Sequence, residues 1–147
     1  MQSAAQKAAV SKKGLWGGRI ISAVVVLFLT FDGVSKLVKE AHVREATAQL
    51  GFPESTIVGI GILLLGCTAL YVIPRTSILG AILLTGYLGG ATASQVRIGK
   101  PLFDTLFPAV FGMLIWAGIF LRDERLRALI PLRRSQTGTV TAYGENK

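Results

Sequence analysis

The chain has 147 residues, of which 51% are hydrophobic and 16% charged, and it is therefore more apolar than an average soluble domain. Its formal net charge is +8. Lys and Arg gather at the tails and in short connections, not in a basic stripe interleaved with aromatic residues, so the charge does not indicate a nucleic-acid partner. The hydrophobic residues form long, nearly charge-free stretches, which indicates segments that lie in the lipid bilayer.

The first hydrophobic stretch follows a basic flank, residues 1–16, and predicts a membrane-spanning helix over residues 17–35. Trp16 and Arg19 are residue types that mark the membrane interface. A basic start before an apolar run is also typical of a signal peptide, but residues 31–35, which precede Lys36, do not contain the Ala-x-Ala pattern typical of a cleavage site. We therefore interpret this stretch as a helix that remains in the membrane.

Charged residues return between Lys36 and Phe52, while the apolar positions keep helical spacing. This pattern predicts a short interfacial helix between the first and second spanning helices. Gly51 suits the C-terminal end of that helix, and Pro53 suits the first turn of the next one.

The second and third hydrophobic stretches predict spanning helices over residues 55–73 and 78–96, joined by a tight turn at Pro74. Because the turn is so short, the two helices should form an antiparallel hairpin. Gly86 and Gly90 lie four residues apart on the third helix, a spacing that lets two membrane helices approach closely. We therefore predict that the third helix packs against a neighbour through these two glycines.

The fourth hydrophobic stretch predicts a helix over residues 104–121, with Asp104 as its cap. Residues 17–121 are thus predicted to form an all-α, four-helix membrane domain. After it, residues 122–134 have the pattern of a basic amphipathic segment, and residues 135–147 have the composition of a disordered tail. The apolar residues of the amphipathic segment that we expect to face lipid are Leu126, Leu129 and Ile130.

The distribution of Lys and Arg predicts the orientation of the bundle. Eleven of the 16 lie in the N-terminal flank, in the turn at Arg75 or in the C-terminal segment, and the other five lie in the two remaining connections. Because cytoplasmic loops are enriched in Lys and Arg, both termini should be cytoplasmic. The basic termini would then face the anionic lipids of the inner leaflet.

Asp32 is the most informative polar residue, because a carboxylate within a spanning segment is costly and normally has a partner. Lys36 lies one helical turn later and can neutralise it. On the predicted topology, the same outer end of the bundle carries Tyr87, Gln95 and Arg97. We predict that these five residues form a polar, ligand-binding pocket. The alternative is an ion-pair network that only locks the first helix to the third.

No pattern of catalytic residues is visible, since the chain has no nucleophile–base arrangement, phosphate-binding loop or dinucleotide fingerprint. Cys67 is the single cysteine and lies among apolar residues, which indicates a buried structural thiol. His42 is the single histidine, so a metal site would need carboxylates from distant segments. We therefore predict no metal site.

Residues 31–37, 46–53 and 80–99 carry a resemblance to a known family. From Gly14 to Asp123 the chain is similar to the DoxX-like family of small bacterial four-helix membrane proteins. Many relatives carry a histidine where Gln95 stands and another near Asp104 and Thr105. Chemistry that depends on those histidines is therefore not expected in this chain.

The resemblance implies a protein of the bacterial cytoplasmic membrane. Because relatives are linked to thiosulfate:quinone oxidoreductase and to membrane redox complexes, it also implies an accessory subunit of a quinone-linked complex, with quinone as a non-covalent cofactor. Two alternatives stay open. One is a non-enzymatic factor that assembles or stabilises other membrane proteins, favoured by the lack of catalytic residues. The other is a small-molecule carrier, against which the lack of inverted repeats and midplane charges argues.

Overall fold

The computed structural model describes residues 12–123 and Leu126, and this part of the chain is helical and contains no strand. The four longest helices are long and apolar enough to cross a membrane. The predicted all-α architecture is therefore confirmed. The five helices are α1 (Lys12–Leu37), α2 (Ala41–Gln49), α3 (Ser55–Val72), α4 (Ser77–Arg97) and α5 (Leu102–Arg122).

The helix boundaries agree closely with the spans predicted from hydropathy, with two informative differences. Within the described residues, helix α1 extends back to Lys12, five residues before the predicted start at residue 17, and lysine is compatible with this extension because it is a good helix former whose long side chain can reach the polar interface. Helix α5 begins at Leu102 and has Pro101 at its N-cap position. The prediction that Asp104 caps this helix is therefore wrong, and Asp104 lies within the first turn.

The predicted interfacial helix is confirmed as α2. It is followed by Gly51, whose φ of +79° lies in the left-handed region, and glycine adopts this conformation without steric cost. The backbone N–H of Gly51 donates to the carbonyl oxygen of Ala48 at 2.9 Å. The glycine thus ends α2 and turns the chain towards α3.

The four long helices form a ring in the order α1, α3, α4, α5, in which each helix packs against its two neighbours. The α3–α4 and α4–α5 connections are too short to recross the membrane, and Gly33 near the end of α1 lies against Gly61 near the start of α3. Successive spanning helices therefore point in opposite directions. One end of the bundle, which we call the α2 end, carries the end of α1, all of α2, the start of α3 and the connection between α4 and α5. The opposite end is called the terminal end.

Close approach between helices occurs at glycines other than the two that the sequence suggested. A Cβ built on Gly80 would collide with the backbone of Tyr71 on α3, and one built on Gly61 would lie 3.1 Å from a backbone oxygen of α1. In contrast, a Cβ built on Gly86 or Gly90 would meet nothing within 4 Å in the described part of the chain, and both glycines are exposed. The prediction that they pack against a neighbouring helix of this bundle is therefore wrong, because the rotation of α4 turns them outward.

Tyr71 organises the polar part of the core near the terminal end. Its side chain is fully buried. Its hydroxyl lies 3.0 Å from Ser22 Oγ of α1 and donates to the carbonyl oxygen of Ile115 of α5 at 3.2 Å. Arg122 donates to the Tyr71 carbonyl oxygen, and its guanidinium carbon lies 4.9 Å from the ring centre. These contacts satisfy the polar groups inside the bundle and tie α1, α3 and α5 together.

The outside of the bundle is apolar. Large hydrophobic side chains that are more than half exposed include Leu27, Phe31, Leu102, Phe103 and Met113. An exposed apolar surface of this extent is rare on a soluble protein. The surface therefore fits a lipid bilayer, which is the environment that the sequence predicts.

Most of the two terminal segments lies outside the described residues, namely residues 1–11, 124, 125 and 127–147. Most of the predicted amphipathic segment, including Leu129 and Ile130, and all of the predicted tail fall there. Leu126 is described, is 6% exposed and packs on the hydrophobic core. The prediction that Leu126 faces lipid is therefore wrong, because its side chain finds its apolar contacts in the bundle.

Candidate functional site at the α2 end

Asp32 and Lys36 form the predicted ion pair on α1, with 2.5 Å between Oδ2 and Nζ. The spacing of four residues places both side chains on one face of the helix. The lysine side chain is 16% exposed and the aspartate 34%. The pair therefore neutralises a carboxylate near the α2 end, where an unpaired charge would be costly.

Tyr87 on α4 is partly buried and packs against the hydrophobic core. Within residues 12–123, no hydrogen bond joins its hydroxyl to Asp32 or Lys36, which pair with each other. A pocket that contains both Tyr87 and the ion pair therefore stays a prediction.

Gln95 and Arg97 also lie at the α2 end, but they are not joined to the ion pair. Arg97 donates from Nη2 to the carbonyl oxygen of Leu50, the residue that follows α2, at 2.6 Å. Within residues 12–123, no hydrogen bond or ion pair connects Asp32 or Lys36 to Gln95 or Arg97. The pocket predicted from five residues therefore divides into two parts, one at the ion pair and one beneath α2.

Helix α2 is held over the end of the bundle by polar contacts at three places. Besides the contact from Arg97, Lys100 Nζ donates to Gln49 Oε1 at 2.7 Å. Arg44 pairs with Glu54, with 3.1 Å between Nε and Oε1. These contacts join α2 to the end of α4, to the connection before α5 and to the residue before α3. Helix α2 is thus attached to the bundle end by polar contacts with three separate segments.

A cavity of about 340 Å³ lies beneath α2. The Oε1 atom of Gln95 is buried and has no hydrogen-bond partner among the described residues. A buried acceptor without a partner is costly, so it indicates a place where a bound group can donate a hydrogen bond. The polar lining comes from α2, the end of α4, the α4–α5 connection and the start of α5, and consists of His42, Glu45, Gln49, Gln95, Lys100 and Asp104.

The lining residues of α2 are absent from the pocket predicted by sequence. His42, Glu45, Ala46 and Gln49 follow the spacing i, i+3, i+4 and i+7, which places them on one helix face. That spacing is the signal that could have predicted them. No group of three or more His, Cys, Asp or Glu side chains in the described ranges could hold a metal ion.

A second concavity, of about 700 Å³, lies between α4 and α5 and is mostly apolar. Trp116 Nε1 donates to Thr85 Oγ1 at 2.9 Å across it, and Thr85 in turn donates to the carbonyl oxygen of Ala81 at 2.7 Å. Small residues form much of its floor, among them Gly89, Ala93 and Gly112. We call this concavity the α4–α5 groove.

Four spanning helices in a ring, with an interfacial helix over one end, define a small multi-pass membrane protein. Residues 20–118 match the DoxX-like family. Because this match covers more than half of the chain, the protein belongs to the DoxX-like family, and the resemblance seen in its sequence is confirmed. Comparisons with curated proteins and with solved structures found no significant match.

Proposed function

We propose that this protein is a non-catalytic subunit of a quinone-linked redox complex in the bacterial cytoplasmic membrane. Membership of the DoxX-like family supports a role in such a complex. The observation that carries the proposal is a row of small, exposed residues on α4, in which a Cβ built on any of the three glycines would meet nothing within 4 Å in the described chain. We call this row, formed by Gly86, Gly89, Gly90 and Ala93, the α4 face.

The glycines of the α4 face need a physical reason, because glycine inside a helix costs about 0.5–1 kcal/mol relative to alanine. Gly61 and Gly80 offset this cost by letting two helices of the bundle approach closely. Gly86 and Gly90 have no such contact within the described chain. A helix of another protein packed against them would provide it, since small residues allow close van der Waals contact between helices in lipid.

The other lipid-exposed glycines of the bundle do not form a comparable surface. Gly59 and Gly66 on α3 are also exposed. The large side chains of Ile62 and Leu63 lie between them and are 60% and 58% exposed, so they would keep a partner backbone away. We therefore place the partner on the α4 face and infer that it is a transmembrane helix of the catalytic subunit.

The α4–α5 groove supports the quinone part of the proposal. It shares Gly89 and Ala93 with the α4 face and has a mostly apolar lining. A pocket of this size and polarity suits the isoprenoid tail of a quinone. A partner on the α4 face would lie beside the groove, so the quinone would be held between this chain and the catalytic subunit, which supplies the redox chemistry.

The test compares two faces of the same bundle. Gly86→Leu and Gly90→Leu place large side chains on the α4 face, and Gly59→Leu and Gly66→Leu place the same side chain on α3. A Cβ at any of the four positions meets nothing within 4 Å, so all four variants should fold. Each variant is extracted gently with its native lipids, and mass spectrometry identifies the proteins and quinones that co-elute.

We expect the native protein and the α3 variants to retain one stoichiometric oxidoreductase subunit and quinone, and the α4 variants to lose both. A changing set of immature membrane proteins in place of a redox subunit would favour the alternative function, an assembly factor. Retention of the same redox subunit by the α4 variants would contradict the role of the α4 face.

A further inference from the structure

We propose that the cavity beneath α2 binds a primary ammonium group, of the kind that an aminophospholipid headgroup presents at the membrane interface. This inference is independent of the proposed redox role, because none of the residues of the α4 face lines this cavity. It rests on the hydrogen-bonding and charge state of the side chains in the cavity wall.

Three oxygen acceptors on the wall have no partner among residues 12–123. The Oε1 atom of Gln95 is buried and unpaired, and Glu45 and Asp104 take part in neither of the two ion pairs that the described residues form. The three side chains come from α4, α2 and α5, so they approach the cavity from different sides. A primary ammonium group has three N–H donors, which matches the number of these acceptors.

The charge of the wall also favours a cation. Its polar lining contains two carboxylates, those of Glu45 and Asp104, against the single ammonium group of Lys100. Lys100 donates to the neutral amide of Gln49 and forms no ion pair with either carboxylate. The charged side chains of the wall therefore sum to −1, which attracts a cationic group.

Neighbouring cationic groups favour a lipid headgroup as the source of the ammonium. One N–H of Lys100 bonds to Gln49, and the other two can donate to a phosphodiester oxygen beside the ammonium group. The guanidinium of Arg97 lies against Leu50, which also lines the cavity. The cavity lies at the end of the spanning helices, which is the depth of the lipid headgroups.

The test uses two lipids that differ only in the chemistry of the amine. The purified full-length protein in detergent is mixed with equal amounts of dioleoyl phosphatidylethanolamine and dioleoyl phosphatidylcholine, and native mass spectrometry measures which lipid is retained. Both headgroups carry a phosphodiester, but the quaternary choline has no N–H donor. We expect about a tenfold preference for the ethanolamine lipid, the order expected for a charge-assisted hydrogen bond. Equal retention would overturn the proposal.

Free ethanolamine separates the two sources of an ammonium group. If the ligand is a lipid, free ethanolamine at the same concentration as the lipid leaves the preference unchanged, because it lacks the phosphodiester and the acyl chains. If free ethanolamine abolishes the preference, ammonium recognition stands, and the assignment to a lipid headgroup is overturned.

Substitutions in the wall test whether the cavity is the site. The double variant Glu45→Gln, Asp104→Asn should lose the preference, whereas Glu40→Gln, which changes an exposed carboxylate outside the cavity lining, should keep it. Gln95→Leu removes the unpaired acceptor, so it should lower the preference while leaving the melting temperature unchanged or higher. A preference that persists in both the double variant and Gln95→Leu would overturn the assignment to this cavity.

Discussion

At the scale of single residues, the ion pair between Asp32 and Lys36 shows how the chain carries charge into its spanning segment. We predict that Asp32→Asn lowers the free energy of unfolding by about 2 kcal/mol, because Lys36, with a side chain only 16% exposed, would be left without its counter-charge. The loss should be smaller than the 3–5 kcal/mol typical of a fully buried pair, because both side chains are partly exposed. Thermal unfolding of the detergent-solubilised protein measures the effect.

Two further variants separate a structural role of Asp32 from a ligand-binding one. Asp32→Asn combined with Lys36→Met removes both charges and should recover most of the lost stability, while Glu40→Gln serves as the exposed control. If Asp32→Asn folds as stably as the native protein but loses a retained ligand or redox partner, the ion pair belongs to a binding site, and the purely structural interpretation is wrong.

At the scale of helices, the glycines distinguish contacts inside the bundle from the unpaired α4 face. We predict that Gly80→Ala destabilises the isolated protein by about 2–3 kcal/mol, because the new Cβ would collide with the backbone of Tyr71, which cannot move aside easily. Gly86→Ala should be neutral or stabilising by up to about 0.5 kcal/mol, because its Cβ meets nothing and alanine favours helix. Equal destabilisation by both variants, measured by thermal unfolding, would contradict the described rotation of α4.

The same glycines show which part of the fold sequence can predict. Hydropathy predicted the four spans because a membrane helix needs about 20 apolar residues and pairs its backbone N–H and C=O groups within the helix. The rotation of each helix about its axis was not predictable in this way, since lipid-facing and buried faces are both apolar. Gly80 and Gly86 both lie in apolar surroundings in the sequence, yet only Gly80 contacts another helix in the described chain.

The attachment of α2 can be tested as a property of that helix. We predict that Arg97→Gln speeds amide hydrogen exchange in α2 by about fivefold, which corresponds to the loss of about 1 kcal/mol from one hydrogen bond. The bond in question joins Arg97 to the carbonyl oxygen of Leu50 at 2.6 Å. Arg75→Gln, in the turn at the terminal end, is the control and should leave exchange in α2 unchanged. Equal exchange in both variants would show that Arg97 does not hold α2.

At the scale of the whole molecule, the orientation in the membrane remains a prediction from the distribution of Lys and Arg. It can be measured by placing single cysteines in a Cys67→Ala background and adding a membrane-impermeant maleimide to intact bacterial cells. Cysteine at Lys39, next to α2, should react from outside the cell, and cysteine at Arg75 should react only after the membrane is permeabilised. The reverse pattern would place the termini outside.

The candidate site was predictable only where its geometry is local. The pairing of Asp32 with Lys36 follows from their spacing on one helix, so sequence was sufficient to predict it. The position of Gln95 beneath α2 depends on how that short helix folds back over the bundle end, through contacts such as Lys100 with Gln49, which are 51 residues apart. No periodicity in the sequence encodes such a contact between distant segments.

The central claim is that the α4 face binds a helix of a redox subunit, and site-specific photocrosslinking in native membranes tests it most directly. A photoreactive amino acid is placed at Gly86 or Gly90 and, as matched controls, at Gly59 or Gly66, all of which lack a neighbour within 4 Å. We predict one discrete adduct with an oxidoreductase subunit from the α4 positions and none from the α3 positions. Adducts that are absent from both faces, or equal on both, would contradict the claim.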